Sequence, residues 1–168
     1  MPRRRLCMIP AMSTGDALRE LMRSFPHGVA VATVDAQGQR VGLTLSSLVT
    51  LSLDPPLVGF TVSREAALHE LLRGADAFGL SLLAGDQDGL AQHFARGVPP
   101  IAMWHGIDVR PGSTGAPLLA GALGWLECRR HSEVAVGTHT LFVGEVEAVE
   151  RGEARSALVR IGGSYRAL

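Results

Sequence analysis

The sequence contains no lysine and no asparagine, and both absences narrow what the chain can do. Without lysine there is no Schiff-base chemistry at a lysine amine and no P-loop with its phosphate lysine. Without asparagine, backbone positions that need positive φ fall largely to the 20 glycines, so glycine-rich spots read first as turns and bulges. Aromatic residues are scarce, 5% against 46% hydrophobic residues in all. The core must therefore be built mainly from Val, Leu and Ala, which favours strands and small helices over a bundle filled by large rings. Charge of one sign is also lacking, since 16 basic and 16 acidic residues cancel. A nucleic-acid binder normally shows a basic excess or a basic face. The only basic run is Arg3-Arg4-Arg5, on an N-terminal extension (residues 1–13) expected to be flexible, so nucleic acid is set aside as a partner.

Cys7 and Cys128 are the only thiols and form no CxxC arrangement. A disulfide framework or cysteine zinc site is disfavoured, and a reduced, cytoplasmic protein is the simpler reading. The opening MPRRRLCMIPAM imitates an export signal, but Pro10 interrupts its short apolar run and no convincing cleavage site follows. No segment reaches the ~18 consecutive apolar residues of a membrane span. GxGxxG, GxSxG and HExxH are all missing, which removes the commonest nucleotide, hydrolase and zincin signatures. The six histidines show no ligand spacing. A barrel could bring His131 and His139 together, yet hydrogen-bonded strand-end histidines explain them without a metal, and no metal site is assigned.

What is present suits one domain over residues 14–168. Ser13 and Asp16 form a capping pair ahead of an amphipathic helix over 14–25, with Leu18, Leu21, Met22 and Phe25 at helical spacing and Pro26 as its stop. Strands are expected at 28–35, 40–45, 49–53, 57–62, 78–83, 122–130, 141–150 and 157–161, with 165–168 closing the chain. Helices are expected at 65–72, with Gly74 as C-cap, and at 86–95, with Asp86 as N-cap. The Pro- and Gly-rich stretch 97–121 reads as an excursion over the barrel. Many short strands with three helices imply a mainly β fold with flanking helices, a closed or half-closed Greek-key barrel.

One constellation carries chemistry. From Gly42 to Ser52 come Thr44, Ser46, Ser47, Thr50 and Ser52 in an otherwise apolar stretch, followed by Asp54-Pro55-Pro56. On pattern alone a barrel strand with one wet face is as good a reading as a binding edge. A planar ring bound edge-on needs backbone donors and short hydroxyls with no bulky side chain above it, and Gly, Ser and Thr supply both.

The block GLTLSSLVTLSLDPPL resembles the diagnostic stretch of the flavin reductase-like family, FMN-binding split barrels that serve as reductase components of two-component monooxygenases. Further segments match in order: Phe25–Val29, Phe78–Leu83 with Asp86-Gln87, His93–Ala95, Gly115–Leu119, Trp125–Cys128, Gly137–Val146 and Gly163–Tyr165. The resemblance implies a homodimer that transfers hydride from NADH or NADPH to FMN or FAD. Reduced flavin then passes to a monooxygenase. It further implies that Thr44, Leu45, Ser46, Ser47 and Leu48 contact flavin largely through backbone groups; Ser46, Ser47 and the amides around Leu48–Thr50 are the candidate donors to the ring. Ser63 and Arg64, at a strand-to-helix turn, would meet the phosphate, which suits an anion physically. His139 is a candidate for the wall facing flavin or nicotinamide, with a structural role in its strand as the other reading. Met103-Trp104-His105 either covers the pocket or is a loop anchored by one buried tryptophan.

Two departures stand out. Ala66 and Leu68 occupy positions where the family often has a phosphate-holding Ser-x-Thr, with Glu65 beside them, and Ile161 stands where some members carry a histidine. The departures imply a weakly held flavin; they also leave open a flavin- or haem-binding split barrel without reductase activity. A pyridoxamine-phosphate-oxidase-type enzyme would share the barrel but expects more basic residues.

Overall fold

The computed structural model describes residues 12–97 and 99–168. Arg3–Arg5, Cys7, the signal-like apolar run and nearly all of the expected N-terminal extension lie outside the described residues. Helices α1 (Thr14–Arg23), α2 (Ala67–Gly74), α3 (Asp88–Ala95) and the one-turn α4 (Pro100–Met103) flank a mainly antiparallel β structure. Its principal strands are β2 (Ala30–Ala36), β3 (Gln39–Leu45), β4 (Val49–Leu53), β5 (Pro56–Ser63), β6 (Ala77–Leu82), β9 (Gly124–Val136) and β10 (His139–Arg151). They form one seven-stranded sheet in the order β3-β2-β6-β9-β10-β5-β4. Smaller sheets join β1 (His27–Gly28), β11 (Leu158–Ile161) and β12 (Ser164–Ala167), and β7 (Val109–Pro111) with β8 (Pro117–Leu119).

The sheet order dictates the shape. The two end strands, β3 and β4, are consecutive in the chain and are joined only by Ser46, Ser47 and Leu48. Laid flat, end strands six spacings apart would be separated by ~29 Å. The chain from Leu45 to Val49 can span at most ~14 Å. The sheet therefore rolls up until β3 lies near β4, and no ladder closes the gap between them. The result is a barrel split along one seam.

Inside the barrel, Phe60 meets Phe78 edge to face at 5.3 Å and stacks with Phe142 at 6.2 Å. Val31, Val62, Leu68, Leu72 and Leu80 fill the space around them. Cys128 is fully buried in the same cluster, and burial pushes its thiol up to about 12. It is packing material at neutral pH rather than a nucleophile. His69 is buried too, with Nε2 2.8 Å from Thr140 Oγ1 and Nδ1 2.8 Å from Glu70.

Several expectations need correction. The strand expected over 28–35 is two strands: β1 pairs with β11, and after Val29 the chain joins the large sheet as β2. Asp86 does not cap α3; Gln87 occupies that position and spends its side chain on Ala84 N–H and Ala120 O instead. Gly74 ends α2 as its last helical residue, with extended Ala75 as the cap. Strand β9 runs six residues beyond Arg130, and the 97–121 excursion holds α4 and the β7–β8 hairpin. Helix α1 has the expected Ser13 cap, whose Oγ accepts from Asp16 N–H at 3.1 Å. Its apolar stripe, however, is not covered by the described residues: Leu21 is 70% exposed and Phe25 59%.

Candidate functional site at the barrel seam

Ser46, Ser47 and Leu48 cross the seam as the only link between β3 and β4, in an irregular and partly exposed conformation. The Ser47 hydroxyl accepts the N–H of Thr61 at 3.0 Å and lies 3.4 Å from the Thr61 carbonyl oxygen. This pair fastens the link to β5 two residues before that strand ends at Ser63. An extended chain advances ~3.3 Å per residue, so the Ser46–Leu48 link lies about 7 Å along β5 from the Ser63 turn. Among the described residues, the N–H groups of Ser46, Ser47 and Leu48 enter none of the turn and loop hydrogen bonds. They are donors left for solvent or a ligand.

The Ser63 turn is tightly organised. Ser63 Oγ accepts from Glu65 N–H at 3.3 Å, and its carbonyl accepts from Ala66 N–H at 3.0 Å. Arg64 donates its N–H to Thr138 O at 3.2 Å, tying the turn to the β9–β10 hairpin tip. His139 lies directly across the ladder from Ser63, with Nδ1 3.0 Å from Thr138 Oγ1. Arg64 is exposed and forms no ion pair among the described residues. Helix α2 starts at Ala67 with Ala66 as an N-cap that has no side-chain hydrogen bond. Leu68 is 1% exposed and packs in the core, so its position faces away from any ligand at the turn. Glu65 is exposed in the turn before the helix rather than on its first residue.

The sequence-derived residues thus separate by role. Ser46, Ser47 and Leu48 form the seam link, and Ser63 and Arg64 the turn beside it. Thr44 is half-buried and donates its hydroxyl to Ala91 O on α3 at 2.7 Å, which uses up its hydroxyl hydrogen and leaves a ligand chiefly its backbone. Leu45 is buried, with the same consequence. Thr50 is exposed on β4 opposite Val58. His139 sits at the turn, not over the link. His131 lies four ladder positions further along β10, beside Val143 and Gly144, so the barrel does not bring it to His139. Among the described residues no group of three or more His, Cys, Asp and Glu is placed to hold a metal.

Gly42 has a structural explanation. A Cβ there would lie 2.8 Å from two ring carbons of Phe94, and its N–H points at Met103 Sδ, 3.1 Å away. The glycine lets α3 and α4 approach β3. Trp104 is half-buried and anchors the excursion by donating Nε1–H to Arg40 O at 2.8 Å. Arg40 is six residues, about 20 Å of extended strand, from Ser46, so Trp104 does not cover the link.

Two larger cavities border β3 or its end, and of these only the first touches the link. One, about 460 Å³, opens beside Ser46 and is lined by Arg19, Met22, Arg23, Phe25, His27, Arg160 and Gly163. The other, about 350 Å³, lies between β3 and the start of α2, against Phe94 and Met103. The first was not legible in the sequence, because α1 meets the β11–β12 turn only in the folded chain. Its one local signal is the spacing of Arg19 and Arg23, i and i+4 on a helix.

A bound flavin fits this seam on two observations. Uncommitted amides line the link, and an unpaired guanidinium sits at the adjoining turn. Residues 22–168 match the flavin reductase like domain. The NADH-dependent FAD reductase of Streptomyces globisporus is 39% identical over 152 residues, 89% of this chain and 83% of that protein. The reductase component of 4-hydroxyphenylacetate 3-monooxygenase from Thermus thermophilus is 38% identical over 153 residues, 91% of this chain and 96% of that one. The solved structure of the Streptomyces globisporus NADH:FAD oxidoreductase with NAD and FAD fragments superposes with a TM-score of 0.84 at 37% identity, covering 90% of each chain. The split barrel, the seam and these likenesses together establish that the chain belongs to the flavin reductase like domain family.

Proposed function

We propose that the protein is an NADH-dependent flavin reductase that reduces FMN or FAD and releases the product to a separate oxygenase component. The observation that carries this reading is the seam link, whose free amides lie one short strand segment from a turn that offers Ser63 and Arg64. The flavin supplies the chemistry, accepting a hydride from the nicotinamide and needing no nucleophile from the protein. The protein's part is positional. Backbone N–H groups of Ser46, Ser47 and Leu48 hold the ring edge, with Thr44 and Leu45 contributing main chain and Thr50 the rim on β4. Ser63 and Arg64 receive the phosphate. His139, across from Ser63, belongs to the phosphate end, and its part is binding rather than hydride transfer.

The phosphate end is under-equipped, since Ala66 offers no hydroxyl and Leu68 is buried, and this supports a flavin that exchanges as a substrate. An exchanging flavin is what delivery to a second protein requires. A homodimer is supported by apolar side chains left in the open along the seam strand, with Leu53 85% exposed, Val49 48% and Leu51 46%. Continuous exposed apolar surface of this kind marks an interface. No described helix is long and apolar enough to cross a membrane, and the cytoplasm, where both nucleotides are abundant, is the proposed location. NADPH is the alternative donor, and a flavin- or haem-binding barrel without reductase activity is the alternative function. Steady-state oxidation of NADH and NADPH with FMN, FAD or riboflavin separates them: flavin-dependent turnover supports the reductase, and a retained coloured ligand without turnover supports the binding protein.

A further inference from the structure

We propose that His69 is a positioning residue for the Ser63–Arg64 turn, holding it in place through a buried hydrogen bond from α2 to Thr140 on β10. The inference rests on the reading that this turn receives the flavin phosphate. His69 is 4% exposed, so it acts on a ligand only through the residues it holds.

The turn does little to fix itself beyond its first half. Arg64 donates its N–H to Thr138 O at 3.2 Å. After Arg64, the N–H groups of Glu65 and Ala66 bond only back to Ser63. Ala66 caps α2 without a side-chain hydrogen bond. Where the second half of the turn stands is therefore set by where α2 stands. Leu68, Leu71 and Leu72 pack that helix into the core, but apolar burial is non-directional and does not by itself set the helix's rotation.

His69 supplies the direction. The Glu70 carboxylate can only accept, so His69 Nδ1–H donates to it at 2.8 Å, and Nε2 is left to accept the Thr140 hydroxyl at 2.8 Å. Phe142, two residues further along β10, meets the imidazole edge to face at 5.5 Å and holds its plane. Among the described residues, no other buried side-chain hydrogen bond joins α2 to the sheet. The second link, Arg73 to Glu133 at 3.0 Å, is at the far end of the helix and partly exposed. Thr140 lies across the ladder from Val62, and His139 across from Ser63. The segment from Arg64 to His69 is thus clamped at both ends to Thr138–Thr140. A leucine at position 69 would fill the core without burying a polar ring; what the histidine adds is a fixed place for the turn.

The test compares the affinities of FMN and riboflavin, which differ by the phosphate alone, by quenching of flavin fluorescence, with kcat measured beside them. His69→Leu and Thr140→Val each break the bond. The double variant removes both polar partners, which is close to neutral for folding, and replaces a single variant that fails to fold. His69→Gln and Thr140→Ser can keep the bond, and Arg73→Gln loosens the other end of α2. The wild type is expected to bind FMN about tenfold tighter than riboflavin. In the bond-breaking variants FMN affinity should fall about 2- to 12-fold, with riboflavin affinity and kcat unchanged. His69→Gln, Thr140→Ser and Arg73→Gln should keep the wild-type preference. In an Arg64→Gln background His69→Leu should weaken FMN less, because part of what it positions is gone. Equal weakening of FMN and riboflavin, no rescue by the conservative variants, the same loss in Arg73→Gln, or full additivity with Arg64→Gln overturns the proposal. A wild-type FMN preference that survives in every variant refutes this inference alone. FMN bound no tighter than riboflavin by the wild type refutes the phosphate reading, and the inference with it.

Discussion

The hydroxyl of Ser47 accepts the main-chain N–H of Thr61 at 3.0 Å, and through this contact the only covalent link across the barrel seam is held against β5. The bond places three free amides at a set distance from the Ser63–Arg64 turn. Replacing Ser47 with Ala removes it while leaving every backbone donor in place. A hydrogen bond of this kind is worth about 0.5–1.5 kcal/mol net. Ser47→Ala should therefore destabilise the chain by about that amount, seen as a melting temperature lowered by a few degrees, and flavin affinity, measured by quenching of flavin fluorescence, should fall by up to about 12-fold.

Ala66 offers the opposite experiment. It caps α2 without a side-chain hydrogen bond, and a serine there would supply both a cap and a phosphate donor. Ala66→Ser should stabilise the chain by about 0.5–2 kcal/mol, seen as a higher melting temperature. FMN affinity should rise about fivefold, while riboflavin, which lacks the phosphate, binds as before.

Gly42 lies within the block that resembles the flavin-binding stretch, yet its reason is packing against Phe94. Gly42→Ala places a methyl 2.8 Å from the Phe94 ring, and overpacking of this kind costs about 1–3 kcal/mol. Urea denaturation should report that loss, with flavin affinity of the folded fraction nearly unchanged.

Glu127 gives a pH signature. Burial pushes its carboxyl up, but the Thr114 N–H and the Ser113 and Thr114 hydroxyls together outweigh burial and hold it below the usual value of 4.5. A carboxylate depressed by folding stabilises the native state above its unfolded pKa and loses that contribution as pH falls through the folded value. Glu127→Gln should accordingly melt at a lower temperature than the wild type at pH 7, and the gap should narrow steadily below pH ~4.5.

The Cys128 thiol, raised to about 12 by burial, foremost, and by Glu127 and Glu147, should be silent in the native state. In a Cys7→Ser background, a chromogenic disulfide reagent at pH 8 should react only at the rate of unfolding. Immediate reaction would contradict the packing described for the barrel interior.

How much of this was legible beforehand depended on how local the cause was. Strand β4 matches its expected bounds, because Val49–Leu53 sits between a seryl link and a diproline turn, both local signals. The Ser13 cap was equally plain. The division of 28–35 at Val29 was not, since nothing in an apolar β-branched run says where it changes partner. The cap of α3 was missed because Gln87 takes the cap position and spends its side chain on the nearby Ala84 N–H and the distant Ala120 carbonyl, and the Ala120 bond leaves no local signal. Near the seam, the Ser46–Leu48 and Ser63–Arg64 groups came from the family resemblance, and the β4–β5 hairpin register, which sets Ser47 against Thr61, makes them neighbours. The cavity beside Ser46 draws on residues 19, 23 and 160, whose meeting depends on the Gly162-Gly163 turn receiving Arg23, and no sequence pattern records that.

The most direct test of the seam as the working site is steady-state NADH oxidation at increasing FMN, with the visible spectrum of the purified protein recorded first. The expected result is saturable, flavin-dependent turnover by protein that is largely colourless as isolated, slowed at limiting FMN by Ser47→Ala. Absence of NADH or NADPH oxidation with FMN, FAD and riboflavin alike would contradict it.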